Sequence, residues 1–351
     1  MKTLSVSTEK PYDVHIGAGL LRRCGEELRA VSAAKTAAIV ADDTVWCLYG
    51  AGVAASLREA GFAVTHVTFP AGEAHKTLET WGGLLRTFAE SRLTRSDLVV
   101  ALGGGVTGDM AGFAAATYLR GIACAQLPTT LLAAVDSSVG GKTGVDLPEG
   151  KNLVGCFHQP VAVLCDTDAL STLPAPQYRA GMAEVIKYGL LGDEAFFDAL
   201  AQPDALSQEA LIARCVAMKR DIVERDEREG GLRRLLNLGH TVGHAVEQCS
   251  RFSVSHGEAV AMGMAAITRA AVKRGLCAAE TLPRLLALLE RHDLPTELPY
   301  GAAELAAAAL SDKKMSGNTL RLIVPERVGR CRELSVTAAE LADWMKDGGA
   351  R

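Results

Sequence analysis

The stretch Leu98-Val99-Val100-Ala101-Leu102-Gly103-Gly104-Gly105-Val106-Thr107-Gly108-Asp109 runs an apolar segment directly into three consecutive glycines. A short apolar run closed by glycine reads as a buried strand. The spacing Gly103-x-Gly105-x-x-Gly108 that follows is that of a dinucleotide fingerprint. Glycines at a strand end let the backbone approach a pyrophosphate, and the next helix offers unpaired N–H groups and a positive dipole end. Residues 110–117 are the expected helix. Two features separate the stretch from an ordinary first βα turn: it lies about a hundred residues into the chain, and Pro128 stands where an acid ~20 positions on would hold a ribose. Asp109, directly after the third glycine, has no place in the generic pattern.

Outward from this stretch, β-rich runs recur at residues 36–40, 63–69, 123–127 and 161–165, with helical patterns at 53–60 and 78–90 between the early ones. Strands separated by helices predict a parallel sheet covered on both faces. After Leu173-Pro174-Ala175-Pro176 the pattern changes to apolar residues at three-to-four spacing, over 177–188, 210–225, 234–249, 258–275 and 281–292. Only 320–324 and 330–334 read as strands there. The expected fold is an α/β N-terminal dinucleotide-binding domain with a parallel sheet, residues 1–173, followed by a mainly α-helical C-terminal domain, residues 174–351. A chain of 351 residues has room for two cores.

The composition is that of a globular protein, with 48% apolar and 22% charged residues. A formal net charge of −4 argues against a nucleic-acid partner. The nine cysteines are scattered without a C-x-x-C pair, as expected of reduced thiols. The N-terminus lacks the apolar core of a signal peptide, and no run approaches the ~20 apolar residues of a membrane span. These features predict a cytoplasmic protein with no membrane partner.

Two more clusters carry chemistry. Gly140-Gly141-Lys142-Thr143-Gly144 and Gly150-Lys151-Asn152 place two lysines beside glycines, a combination that suits a phosphate-bearing ligand. A P-loop is excluded, because the glycine it requires five residues before Gly141 is Asp136. Further on, His240 and His244 stand at i, i+4, one helix face, with His256 following in Ser255-His256-Gly257-Glu258. A catalytic metal site uses about three protein ligands, and Glu184 or Glu247 would supply an acidic one. Spacing nominates His240 and His244 equally and does not separate a metal ligand from a substrate contact. Lys187, Lys219, Arg233, Arg234, Lys313 and Lys314, with Asn237 as a neutral donor, are candidates for an anion pocket. Read from its residues alone, the chain binds a nucleotide, a metal and an anionic substrate.

The ordered blocks GGGVTGDMAGF from Gly103, YLRG from Tyr118, PTTLLAAVDSSVGGKTGV from Pro128 and GKNLVGCFHQP from Gly150 are similar to those of the 3-dehydroquinate synthases. So are GMAEVIKYG from Gly181, LNLGHTVGHAVE from Leu236, HGEAVAMGM from His256 and DKK from Asp312. The resemblance spans residues 70–329. It implies a homodimer holding NAD and one zinc, which cobalt can replace. The implied reaction is conversion of 3-deoxy-D-arabino-heptulosonate 7-phosphate to 3-dehydroquinate and phosphate, in the shikimate route to aromatic amino acids. It assigns the metal to Glu184, His240 and His256, and turns His244 into a substrate contact. It assigns NAD to Ala71, Gly72, Glu73, Ala74, His75, Lys76, Gly105, Val106, Thr107, Gly108, Asp109, Thr129, Thr130, Lys142, Lys151, Ala169, Leu170, Ser171 and Thr172. Asp136, Lys142, Asn152, Lys187, Lys219, Arg233, Asn237, His244 and one of Lys313 and Lys314, taken as Lys313, would surround the substrate. Arg120 would reach the phosphate site of the neighbouring subunit. Two positions depart from the family pattern: Ala41-Asp42-Asp43-Thr44 replaces an asparagine-bearing turn, and Asp146 stands where Asn is common. The competing expectations are a polyol dehydrogenase of the glycerol dehydrogenase type, which needs no phosphate pocket, a sugar-phosphate cyclase acting on another substrate, and a catalytically dead NAD-binding regulator.

Overall fold

Strand periodicity builds the first unit of the computed structural model, which describes residues 1–312 and 319–351. Its strands are β1 (Lys2–Val6), β2 (Tyr12–Gly17), β3 (Thr36–Asp42), β4 (Ala63–Phe69), β5 (Leu98–Gly103), β6 (Ala123–Pro128), β7 (Lys142–Leu147), β8 (Gly150–Phe157) and β9 (Ala162–Asp166). Seven of them form one sheet in the order β1-β2-β9-β6-β5-β3-β4. Alternate residues of the central strands are buried on opposite faces. Ala37, Ile39 and Ala41 of β3 join Leu98, Val100 and Leu102 of β5 in one core, with helices Cys24–Val31 and Ala51–Glu59. Ala38, Val40, Val99 and Ala101 join the opposite core, with helices Leu78–Glu90 and Gly105–Thr117. Burial on both faces is why these strands read as continuous apolar runs.

All neighbours in this sheet are parallel except β1, which pairs antiparallel with β2 at the edge. The sequence pattern does not announce β1 and β2, because β1 is largely exposed and mostly polar. β7 and β8 form a separate antiparallel hairpin with an irregularity between Val145 and Leu147.

The topology explains the late glycine turn. The chain leaves β3 outward to β4, then returns to lay β5 against the other side of β3. The carboxyl ends of β3 and β5 therefore flank the point where strand order reverses, the place where open α/β sheets bind ligands.

The second unit is built from helices Ala175–Gly192, Glu194–Leu200, His240–Cys249, His256–Lys273, Thr281–Arg291, Ala302–Asp312 and Ala338–Asp347, with an antiparallel ribbon of β10 (Thr319–Arg327) and β11 (Arg330–Thr337). Val242, Val246, Ala266, Leu305 and Trp344 are among the residues of its core.

Two boundaries differ from the sequence expectation. The units are Met1–Pro174 with Gln208–Arg228, and Ala175–Ser207 with Glu229–Arg351. The helix Gln208–Val223 thus returns to the first unit, where one cut at 173/174 had been expected. The helix expected over 234–249 divides into a 3-10 turn Leu232–Asn237 and a helix that begins at His240. Between them Leu238 leaves the helical conformation at ψ 125°, and Gly239 takes φ +79°, a left-handed conformation from which the second segment starts.

Candidate functional site

In the first unit, the carboxyl ends of the parallel strands deliver most of the residues assigned to NAD. β4 leads into Ala71–Lys76, β5 into Gly105–Asp109, β6 into Thr129 and Thr130, and β9 into the turn holding Ala169, Leu170, Ser171 and Thr172. Hydrogen bonds bring these ends together. Thr129 N–H donates to the Gly103 carbonyl at 3.0 Å, and Ala71 N–H to Asp43 Oδ1 at 3.0 Å. The Tyr49 hydroxyl donates to the Ala169 carbonyl at 3.1 Å and meets Thr172 Oγ1. Asp42 Oδ1 accepts from Val45 N–H at 2.9 Å. The altered turn at the end of β3 is therefore a helix cap.

The helix expected from Met110 starts at Gly105, so Val106, Thr107, Gly108 and Asp109 are helical. Its cap, Gly104, has no capping side chain, which leaves the first N–H groups for a ligand. Asp109 now has an explanation. Its Oδ2 accepts from Lys76 Nζ at 2.6 Å, and the same ammonium donates to Asn152 Oδ1 at 2.6 Å. Burial works against the charge on Lys76, and Asp109, Glu73 and Asp146 together outweigh it and raise the ammonium above its ordinary range. Lys151 Nζ reaches Glu73 Oε1 at 3.2 Å.

Lys219, on the returning helix Gln208–Val223, pairs with Asp136 Oδ1 at 2.8 Å and donates to the Asp136 carbonyl at 2.6 Å. Lys142 is exposed at the start of β7. Arg120 is not brought to this group. It is exposed just past the far end of helix Gly105–Thr117, whose 13 residues span about 20 Å. Its φ of +68° follows Leu119 at +50°, two left-handed residues in succession.

In the second unit, three helices converge on a donor set. Glu184, fully buried in Ala175–Gly192, holds Oε1 3.5 Å from His240 Nε2 and 3.3 Å from His256 Nε2. One ligand atom from each of the three lies within 4.8 Å of the others. His240 and His256 each occupy the first position of a helix. A capping box between Ser255 and Glu258 sets the start at His256, a signal present in the sequence. Glycines permit the approach. A Cβ on Gly263 would lie 2.0 Å from the Gly239 carbonyl oxygen, and one on Gly257 2.2 Å from that of Ala180.

The outer partners fix the imidazoles. A carbonyl only accepts, so His240 Nδ1–H donates to Leu238 O at 3.1 Å and Nε2 keeps its lone pair. His256 Nδ1 lies 3.4 Å from Glu247 Oε2. Carboxylate and carbonyl partners of this kind orient metal-binding histidines. They also separate two acids that the sequence left equivalent: Glu184 faces both Nε2 atoms, and Glu247 backs His256. The Leu238 carbonyl has no signal in the sequence. Burial, above all, holds His240 well below its ordinary pKa. At His256 burial also lowers, but Glu184 and Glu247 outweigh it and push the ring up to about 10. One carboxylate and two imidazoles with oriented Nε2 atoms suit a borderline divalent ion such as zinc or cobalt.

Beside this set, Lys187 Nζ lies 2.5 Å from Glu184 Oε2, and elsewhere in the same unit Arg233 is fully buried. Asn237 Nδ2 donates to Glu229 Oε1 at 3.0 Å. The His244 ring centre is 5.5 Å from that of His240 and 6.0 Å from that of His256. His244 also joins Glu247 and His256 in a second close group. Lys313 and Lys314 lie outside the described residues.

The fold and these sites define a class: an α/β unit with a glycine turn at the switch of its parallel sheet, joined to a helical unit carrying a carboxylate and two histidines of metal-binding type. Models of the 3-dehydroquinate synthase N-terminal and C-terminal regions match residues 66–180 and 181–315. A 3-dehydroquinate synthase of Gloeobacter violaceus is 49% identical over 331 residues, 91% of each chain. Among solved structures, 2-deoxy-scyllo-inosose synthase complexed with carbaglucose-6-phosphate, NAD+ and Co2+ is 27% identical with a TM-score of 0.88, over 99% of this chain and 100% of that one. The 2-epi-5-epi-valiolone synthase ValA from Streptomyces hygroscopicus, with NAD+ and Zn2+ bound, is 29% identical with a TM-score of 0.87, over 99% and 98%. The chain belongs to the 3-dehydroquinate synthase family.

Proposed function

We propose that this protein converts 3-deoxy-D-arabino-heptulosonate 7-phosphate to 3-dehydroquinate and inorganic phosphate, using NAD and one zinc or cobalt ion. The observation that carries the reading is the convergence of Glu184, His240 and His256 in a unit that also buries Lys187 and Arg233. A lysine and an arginine buried in the unit that carries the metal-type donor set suit an anionic ligand, and a sugar acid phosphate supplies two anionic groups.

When bound, NAD supplies a reversible hydride acceptor and the ion a Lewis acid for the substrate's C5 oxygen, so that phosphate leaves by β-elimination and the hydride returns before ring closure. Glu184, His240 and His256 hold the ion. The helix start at Gly105, the Lys76–Asp109 pair and the Ala71–Lys76, Thr129–Thr130 and Ala169–Thr172 segments hold NAD, with Lys142 and Lys151. Lys187, Lys219, Arg233, His244 and one of Lys313 and Lys314 offset carboxylate and phosphate charge, while Asn152, Asn237 and Asp136 orient hydroxyls. The exposed position of Arg120, past the far end of the helix that starts at the glycine turn, supports a homodimer in which it completes the phosphate site of the other copy. Nine free cysteines support a cytoplasmic setting. No helix is long and apolar enough to cross a membrane among the described residues.

Zinc-loaded protein with catalytic NAD is expected to release stoichiometric phosphate from the heptulosonate phosphate without accumulating NADH. Accumulation of NADH from glycerol or another polyol would sink the reading. Phosphate released only from other heptose or hexose phosphates would assign the chain to a sister cyclase.

A further inference from the structure

Asp146, in the hairpin β7–β8, is a residue to which the sequence gives no role and which makes several contacts. It lies in the irregularity between Val145, paired with Val154, and Leu147, paired with Gly150. Its main-chain N–H donates to the Lys76 carbonyl at 2.8 Å, and it bridges Thr77. Its Oδ1 accepts the main-chain N–H of Asn152 at 2.7 Å.

Asn152 takes φ +55°, a left-handed conformation that is less favourable than the extended or helical one for a residue with a Cβ, although asparagine tolerates it better than most. Its side chain is oriented as well as its backbone. An ammonium only donates, so the atom facing Lys76 Nζ at 2.6 Å is the carbonyl Oδ1. With Oδ1 committed to Lys76, the donors left for a ligand are the Nδ2 pair. Lys76 in turn is anchored on Asp109 of the glycine-turn helix at 2.6 Å. Asp146 therefore closes a ring: it holds the backbone of Asn152, and through its own N–H it holds the strand-like segment that presents Lys76 to Asn152.

We infer that Asp146 is a positioning residue for substrate binding, locking Asn152 in the left-handed conformation in which Lys76 aims its carboxamide donors. The inference rests on the reading that Asn152 meets the substrate and Lys76 the nucleotide. Its operative part is a neutral one, an acceptor oxygen at fixed reach, which asparagine supplies as well as aspartate.

The test uses the full-length, zinc-loaded protein. Asp146→Ala is expected to raise KM for the heptulosonate phosphate at least tenfold with kcat and the Kd for NAD within threefold. Main-chain amide exchange at Asn152 is expected to speed up at least tenfold. Asp146→Asn keeps the acceptor and is expected to stay within threefold of wild type in every measure. On an Asn152→Gly background, where the left-handed conformation needs no help, Asp146→Ala is expected to add less than threefold to KM. Should Asp146→Ala not fold, Asp146→Glu, which moves the acceptor outward by one methylene, is expected to reproduce its KM and exchange effects. Unchanged exchange at Asn152, equal damage in the Asn and Ala variants, or an undiminished effect on the glycine background overturns the inference. Amide exchange reads the lock without turnover, so a wild-type protein that releases no phosphate rejects the proposed activity separately from the lock.

Discussion

At the scale of single residues, the division of labour between Glu184 and Glu247 has a measurable consequence. Glu184 faces both histidine Nε2 atoms, while Glu247 meets His256 at Nδ1. Replacing His256 with Ala removes one of three donors and is expected to abolish zinc retention, with NAD binding preserved because the glycine turn belongs to the other unit. Unchanged zinc content, by elemental analysis after dialysis against a chelator, would refute the ligand assignment. Glu247→Gln keeps a hydrogen-bond acceptor but loses the charge behind the imidazole. It is expected to weaken zinc about 10- to 100-fold without removing it, in line with other outer partners of metal ligands, as competition with a chromogenic chelator would read. Spacing alone put His240 and His244 on one helix face, and His256 was assigned to the metal only through the family resemblance. Spacing did not rank the two acids, because helical period places a residue on a face but says nothing about which neighbouring helix that face meets.

At the scale of elements, close helix packing around Gly239 and Gly263 sets the donor geometry. A methyl on Gly263 would meet the Gly239 carbonyl oxygen at 2.0 Å, and a backbone oxygen in a packed core has nowhere to retreat. Gly263→Ala is expected to cost about 1–3 kcal/mol or more and to weaken metal binding, since His240 directly follows the displaced carbonyl. Gly82, in the middle of helix Leu78–Glu90, is the matched control, because a Cβ there meets nothing within 4 Å. Gly82→Ala is expected to stabilise by about 0.5–1 kcal/mol through helix propensity. Denaturation midpoints that move in the same direction for both variants would contradict the packing account. The central strands and the helix Leu78–Glu90 were legible because each is apolar with a clear period and bounded by turn residues. The split at Gly239 was not, since the apolar period continues across it. Only the contact with a distant glycine shows why the helix must restart at His240.

At the scale of the whole molecule, the chain crosses between its units more often than its composition suggests. The shift from strands to helices near Leu173 marks the first crossing, and nothing in the pattern marks the return, because one amphipathic helix resembles another whichever core it covers. The helix Gln208–Val223 buries Leu211, Ile212, Cys215, Val216 and Val223 in the first unit and brings Lys219 to Asp136. A fragment of residues 1–174 therefore lacks an apolar layer, and lacks the cation that sits against Asp136. Removing the five buried aliphatic and thiol side chains of that helix leaves the apolar surface they covered in water, a patch of the kind that drives association, and each large aliphatic side chain so exposed forgoes about 1.5–3 kcal/mol. The fragment is expected to aggregate or to keep far-UV circular dichroism while losing near-UV signal. Adding residues 208–228 as a separate peptide is expected to restore near-UV signal and solubility, and a peptide with Leu211, Ile212 and Val216 changed to Ser is expected to fail. A well-folded, monomeric 1–174 fragment would show instead that the first unit is complete before the chain leaves it, and that the returning helix serves only to carry Lys219.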